Sequence, residues 1–433
     1  MGHVHRLFAS GRSVRKRGQG RIDRLMPLRT RPVPGGLQKI SDTYKKSRFA
    51  LLAEHPLSTY YLIMGSTLLL LSLGLVMVLS ASSVESVRVF GSAYVFAQRQ
   101  ALFAVGGVIA LIFALRSSIQ FWRKSAWVFL AIAFGLLISV LIFGVEVAGQ
   151  RNWIEIFGPF RLQPSEFAKL ALVVWGAEVL TRKDRHVPTW RNILVPIVPI
   201  AGLMMILVLL EGDFGNTLML AAILCGVLFA ARVPFRLFAL FGGIGVIAVW
   251  MLTLAAPYRM ERIANWLNPD SDRLGFGWQV TQGQYALGTG GVWGVGLGGS
   301  REKWGSLPEA HTDFIFPVIG EELGLVGTFA VLLLFGILAF SIFRLSKNAQ
   351  KPFVRLVAAG VGSWIVIQAV INIGAVLGLL PVTGVPLPLV SYGGSSLIPT
   401  LIAIGMLLAC ARNEPAARRI IRRRKTAAAM RRR

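Results

Sequence analysis

The sequence predicts an all-α polytopic membrane protein of about ten transmembrane helices with one large extracytoplasmic loop, and three observations carry that expectation. Apolar runs of about 20 residues, the length that crosses a bilayer core, recur from Tyr60 almost to the C-terminus of a chain that is 54% hydrophobic with a mean hydropathy of +0.62. Most of the 46 Lys and Arg fall on one side of the spans those runs define, the pattern of the positive-inside rule. Both ends of the chain are basic, and two basic ends on the same side require an even number of spans.

The residues before the first run, 1–56, are dense in Lys and Arg with several Pro and Gly. That lead is too long and polar for a signal peptide, and its composition predicts a disordered cytoplasmic arm. The membrane domain is 57–412, with spans expected at 60–82, 96–115, 127–147, 166–181, 193–210, 214–231, 237–257, 313–343, 356–380 and 387–410. The fourth and sixth are short for a bilayer. A basic cytoplasmic tail, 413–433, follows. The inner connections are short and basic, while the outer ones include a tight turn at Glu211–Asp213 and one long loop, 257–312. A loop of that length within a compact domain is commonly functional.

The net charge of +26 follows from the inner loops and tails, so it calls for anionic membrane lipids and no nucleic acid. The acids show the opposite bias, most of the 20 Asp and Glu lying in outer loops or at outer span ends. No Walker-type glycine loop is present, so no nucleotide is expected. The two cysteines, Cys225 and Cys410, both lie in apolar runs and suggest neither disulfide nor metal site.

Four stretches could carry chemistry. The long loop holds Arg259, Arg262, Asp270, Asp272, Arg273 and Lys303 among tryptophans and many glycines, including "LGTGGVWGVGLGG". Charges, flat aromatic faces and closely approachable backbone suit a sugar or phosphate ligand, while an ordinary solvated loop with interfacial Trp anchors explains the same composition. "SLPEAHTDFIFPVIGEELG" sets Glu309, His311 and Asp313 before an apolar run that takes Glu321 and Glu322 two turns into a span. Ionisable groups there suggest a functional cavity, or partners on neighbouring helices that fix packing. "GQRNWIEIFGPFRLQPSEFAKLAL" places Arg151, Glu155, Arg161, Glu166 and Lys169 around the start of the fourth span, with Glu166 and Lys169 spaced to pair on one helix. Glu211 and Asp213 could line the same cavity or cap the helix that follows. Finally, "LLPVTGVPLPLVSYGGSS" joins the last two spans through three prolines and three glycines, irregular backbone that lipid does not tolerate. Its Ser391, Tyr392, Ser395 and Ser396 could line a pocket or mark a helix break.

Taken together, "NPDSDRLGFGWQ", "KWGSLPEAHTDFIFPVIGEELG", "RLQPSEFAKL" and "LLPVTGVPLPLVSYGGSS", in that setting of spans, resemble the SEDS family of cell-wall polymerases over about residues 57–412. "GLVMVLSASSVES" in the first span and the long basic arm resemble the division branch more than the elongation branch. The resemblance implies a peptidoglycan glycosyltransferase that polymerises lipid II at the outer face of the cytoplasmic membrane, at the division septum. Its implied partners are a class B penicillin-binding protein and other divisome proteins, and its implied cofactor a divalent cation, Mg or Mn.

The family's essential aspartate lies in a D-x-x-G-x-G-[YW]-Q pattern, which falls here on Asp272 and closes on Gln279. The resemblance therefore implies Asp272 as catalytic base. Implied for substrate binding are Arg259, Arg262, Lys303, Glu309, His311, Asp313, Arg151, Glu166, Lys169, Gln279, Ser391, Gly393 and Gly394. Three departures stand out: Arg273 where the family usually has proline, Gly283 where it commonly has serine, and "GDFGN" for its usual "PDLGT". Two other readings compete, a transporter that flips the lipid substrate and a scaffold for its partners. A transporter would use the acids as a pathway and call for polar groups near the midplane.

Overall fold

The computed structural model describes residues 57–147, 150–157, 160–183, 190–254, 276–415 and 417–419, with Met260, Ala264 and Trp266. The arm 1–56, the end of the tail, and Arg259, Arg262, Asp270, Asp272 and Arg273 lie outside the described residues. Ten long helices take the places of the ten expected spans. They are α1 (Ser58–Phe90), α2 (Val95–Arg116), α3 (Ile119–Phe143), α4 (Pro164–Lys183), α5 (Trp190–Leu210), α6 (Phe214–Ala230) and α7 (Phe235–Leu254), then, after the shorter outer helix α8 (Phe276–Thr289), α9 (Ile315–Asn348), α10 (Pro352–Val376) and α11 (Gly394–Arg412).

Among the described residues six of these, α1, α2, α3, α9, α10 and α11, are long and apolar enough to cross a membrane, and Leu194–Leu210 and Phe214–Ala230 are shorter apolar helices. Helix α4 is the exception that organises the rest. It carries Glu166, Lys169 and Glu178, yet nearly every residue from Pro164 to Leu180 is buried, because α3, α5, α6, α10 and α11 all pack around it. Charges that lipid would reject are accepted there because protein surrounds them. At its inner end Glu178 receives Arg123 from α3 and Arg182 from its own helix, each at 2.6 Å.

Among the differences from the expected bounds, which include α1 running on to Phe90 rather than 82, three places have a local reason. Helix α3 begins at Ile119 rather than 127, since Ser118 caps it by accepting from the Phe121 amide at 3.1 Å and the Glu178 contact absorbs the Arg123 charge. The last helix begins at Gly394 rather than 387, because the proline-rich stretch before it is non-helical. The third helix stops at Phe143 rather than 147, and an antiparallel meander follows, β1 (Val145–Val147), β2 (Gln150–Phe157) and β3 (Phe160–Leu162), in the order β1-β2-β3. Its register puts Glu155 opposite Arg161, and the two side chains pair at 3.1 Å. Helices α2 and α11 approach closely because Gly405 faces the Leu111 carbonyl, only 2.5 Å from where a Cβ would sit.

Candidate functional site

The proline- and glycine-rich segment 380–394 is the centre of the outer polar region. It is not helical and makes few hydrogen bonds within itself, so most of its groups, and the adjoining Ser395, are satisfied by four other parts of the fold. Asn372 of α10 donates to the carbonyls of Val385 and Asp313, both at 2.9 Å. Gln368, one turn deeper on the same face, donates to Pro386 O at 2.8 Å. Ser391 accepts from the Leu387 amide and donates to Thr312 O at 2.6 Å, while the Tyr392 amide donates to His311 O at 3.0 Å. Gln100 of α2 spans Ser391 O and the Gly393 amide, at 3.2 and 3.1 Å. Ser395 donates to the Arg161 carbonyl of β3 at 2.7 Å. Gly384, at φ 73°, keeps the backbone so near Asp313 that a Cβ there would lie 3.7 Å from its Oδ2.

Beneath this segment lies the buried pair of α4. Lys169 Nζ reaches Glu166 Oε1 at 2.7 Å and Gln368 Oε1 at 3.3 Å, over the face of Trp364 at 5.1 Å, and both charged side chains are wholly inaccessible. Among the described residues Glu166 Oε2 has no hydrogen-bond partner. Beside it Asp213 caps α6 by accepting from the Asn216 amide at 2.9 Å, and its Oδ2 accepts from Gln163 at 2.9 Å and the Asn216 side chain at 2.8 Å. Glu211, in the turn outside the helices, has no partner on either carboxylate oxygen among the described residues; burial first, then the Asp213 charge, pushes it up to about 9.

The outer loop answers to a second construction. Helix α9 breaks at Gly324, whose φ of 67° and ψ of −163° are not helical. A helix would join the amides of Leu325 and Val326 to the carbonyls of Glu321 and Glu322. Here the glycine turn after α8 takes all four groups. Leu325 and Val326 donate to Gly291 O and Val292 O at 2.9 and 3.3 Å, and the Val295 and Gly296 amides donate to Glu321 O and Glu322 O at 2.9 and 3.1 Å. Only glycine fits such an approach: a Cβ on Gly294 would lie 2.2 Å from Glu322 O, and one on Gly324 2.4 Å from the Gly294 nitrogen. The side chains of the break are clamped as well. Lys303 Nζ meets Glu322 Oε1 at 3.0 Å and Gly298 O at 2.7 Å, Ser80 of α1 lies 2.6 and 2.7 Å from the two Glu322 oxygens, and Glu321 accepts from Ser300 and from the Arg301 amide.

The family model described as "Cell cycle protein", that of FtsW, RodA and SpoVE, matches residues 60–415. The chain belongs to this family. A probable peptidoglycan glycosyltransferase FtsW of Mycobacterium tuberculosis is 41% identical over 374 residues, 86% of this chain and 71% of that protein. Stage V sporulation protein E of Bacillus subtilis is 43% identical over 79% of this chain and 94% of its own length. Among solved structures, a chain from work on the coordination of polymerization and crosslinking by a peptidoglycan synthase complex superposes with a TM-score of 0.66 at 29% identity, covering 81% of this chain and 97% of that one. The rod shape determining protein RodA of Thermus thermophilus gives 0.61 at 27%, covering 82% and 97%. The SEDS resemblance and the helical membrane fold are thereby shown.

Within this SEDS chain the residues singled out from sequence fall into distinct places. Glu166, Lys169, His311, Asp313, Ser391, Gly393 and Gly394 gather around 380–394. Burial holds the His311 imidazole below its usual value against the opposing charges of Glu309 and Glu85, and its ring lies 4.8 Å from Phe96 and 5.5 Å from Tyr392. Gln279 sits half-buried on α8, which Trp278 ties to Ser306 O at 2.9 Å and Gln284 to Leu377 O at 3.2 Å. Three others are engaged elsewhere: Arg151 donates to the terminal carbonyls Gly144 O and Ile142 O of the α3 end, Lys303 belongs to the α9 clamp, and exposed Glu309 accepts from Thr312. Asp272, Arg259 and Arg262 lie outside the described residues. Sequence reasoning missed Gln100, Gln368 and Asn372. The last two are four apart in "SWIVIQAVINIG" and so share one helix face, a signal that amides inside an apolar span would have supplied.

Proposed function

We propose that this multi-pass membrane protein is a peptidoglycan glycosyltransferase of the division, FtsW-like type, which polymerises lipid II at the outer face of the cytoplasmic membrane. The observation that carries the reading is the convergence of buried, hydrogen-bonded polar groups on one outer segment, 380–394, in a chain whose family relatives bear that activity in their names. A polyprenyl-linked sugar needs such a junction, with lipid tails in the bilayer and reacting groups above it.

In this mechanism the GlcNAc 4-hydroxyl attacks the anomeric carbon of a MurNAc carried on undecaprenyl pyrophosphate, and Asp272 takes the hydroxyl proton as general base. The new glycosidic bond forms with inversion, through an oxocarbenium-like transition state, as the bond to pyrophosphate breaks. Arg259 and Arg262 of the outer loop would meet the charge growing on the leaving group. Glu166, Lys169 and Asp313 would order the floor beneath. A divalent cation, Mg or Mn, would add charge stabilisation at the pyrophosphate. Among the described residues no group of three or more His, Cys, Asp and Glu could hold a metal ion, so these residues alone do not fit it.

The proposed partners are a class B penicillin-binding protein, the crosslinking counterpart suggested by the complex to which the similar chain belongs, and other divisome proteins. Both basic ends are proposed to be cytoplasmic. The transporter reading draws on one observation, the charged pair of α4 buried within the bundle.

The decisive experiment is glycan-strand synthesis from labelled lipid II by the purified protein with its partner blocked at the transpeptidase serine. Wild type is expected to make polymer and Asp272→Asn none, with folding and partner binding intact. Equal polymer from both would remove Asp272 as base. No polymer from either, under conditions that sustain a known polymerase, would favour the transporter or scaffold.

A further inference from the structure

We infer that the glycine turn 291–298 is a membrane anchor, whose apolar side chains sit in the outer leaflet at the boundary between hydrocarbon and headgroups, with bulk lipid as its partner. The inference rests on the membrane-spanning fold and is independent of the glycosyltransferase reading.

Depth comes from α9. Its uncharged stretch from Leu325 to Phe343 ends at Arg344, and Lys347 follows one turn later. At 1.5 Å per residue that stretch is about 30 Å long, the thickness of a hydrocarbon core. Leu325, Val326, Phe329, Leu332, Leu333, Phe340 and Phe343 along it are all exposed, so this is the lipid face of the helix. With Arg344 at the inner boundary, the Gly324 break falls at the outer one. Residues 315–322 stand above it, and all of them are buried in protein.

The turn is bonded to α9 at that level through the four backbone hydrogen bonds across 291–296 and 321–326. Non-helical backbone is tolerated at the edge of the hydrocarbon because those groups are already satisfied. The side chains that remain are apolar and unpartnered: Val292 is 54% exposed, Trp293 81%, Val295 42% and Leu297 62%. They continue the lipid face of Leu325 and Val326, to whose amides the turn is bonded. Facing water they would form an apolar patch of the kind soluble surfaces avoid, whereas tryptophan is favoured at the headgroup level. The glycines let the turn dock, and the residues between them hold it in the leaflet.

The test is depth measurement with a nitroxide at a single cysteine, in full-length protein with Cys225→Ser and Cys410→Ala, in phosphatidylethanolamine and phosphatidylglycerol vesicles free of any polyprenyl lipid. Trp293→Cys and Leu297→Cys are compared with Val326→Cys as reference for the outer edge of the hydrocarbon and Ser92→Cys, in the exposed turn after α1, as water reference. Collision rates with oxygen and with a water-soluble nickel chelate are read for each. The expected result is an oxygen-to-nickel ratio at 293 and 297 well above that at 92 and approaching that at 326. A ratio equal to that at 92 would put the turn in water and overturn the anchor. Suppressed collisions with both reagents, whether in the protein alone or on adding the transpeptidase partner, would overturn it in favour of a protein-covered surface.

Discussion

Two buried Lys–Glu pairs invite comparison. Glu166–Lys169 and Glu322–Lys303 have nitrogen–oxygen separations of 2.7 and 3.0 Å, and all four side chains are at most 3% exposed. The first is local, three residues apart on one helix, and among the described residues leaves Glu166 Oε2 without a partner. The second joins three distant pieces of chain, and both oxygens of Glu322 are engaged, Oε1 by Lys303 and Oε2 by the Ser80 hydroxyl. A satisfied pair holds structure together. The α4 pair, wholly inaccessible, reaches the 380–394 segment through Gln368 and so acts on its position.

Breaking either pair should produce the largest effect. Glu322→Ala or Glu166→Ala strands a buried ammonium, which costs about 3–5 kcal/mol, so both variants should show a sharply lower thermal midpoint in detergent. Neutralising both partners sharpens the contrast. Glu322→Gln with Lys303→Met, and Glu166→Gln with Lys169→Met, should each recover most of the lost stability, since a neutral replacement removes the desolvation cost with the attraction. Polymer synthesis should return with the first double variant and stay absent with the second. Recovery in both would make the α4 pair purely structural.

Gly294→Ala tests the clamp from the backbone side. The new Cβ meets Glu322 O at a φ of 79°, and a loss of about 1–3 kcal/mol is expected, read as a lower midpoint. Glu211 is tested through pH rather than through a single midpoint. Its folded value of about 9 stands above the ordinary 4.5, so between those values the unfolded chain releases a proton that the folded chain keeps. Its contribution to stability is therefore full below pH 4.5 and declines as pH rises towards 9. The midpoint of Glu211→Gln relative to wild type should rise steadily through that window; a pH-independent difference would mean that Glu211 is ionised in the fold.

The two pairs also mark what could be read from the sequence. Glu166–Lys169 was legible because helical spacing dictates it, and the ten spans were legible because apolar length does. Glu322–Lys303 was not, since nothing local couples residue 303 to a helix break at 324 or to Ser80. The meander around Glu155 and Arg161 escaped for a similar reason: two of its strands are only three residues long, and its register is set across turns. The 380–394 segment was recognised as irregular from its prolines and glycines, but its partners, Gln100 and Arg161 among them, come from remote parts of the chain. Where several elements must each supply one group, spacing carries no signal.

That remoteness has a consequence for how the protein is made. Gln100 meets Ser391 across 291 positions, and Arg161 meets Ser395 across 234. As the ribosome delivers the chain, the first nine spans can enter the bilayer one after another while the outer polar region still lacks its keystone. Contacts closed over such separations come late in folding. A nascent chain that stalls before residue 380 would be integrated and helical, yet its polar region around Gln100 and Arg161 would be unfinished, so assembly of that region waits on the final hairpin.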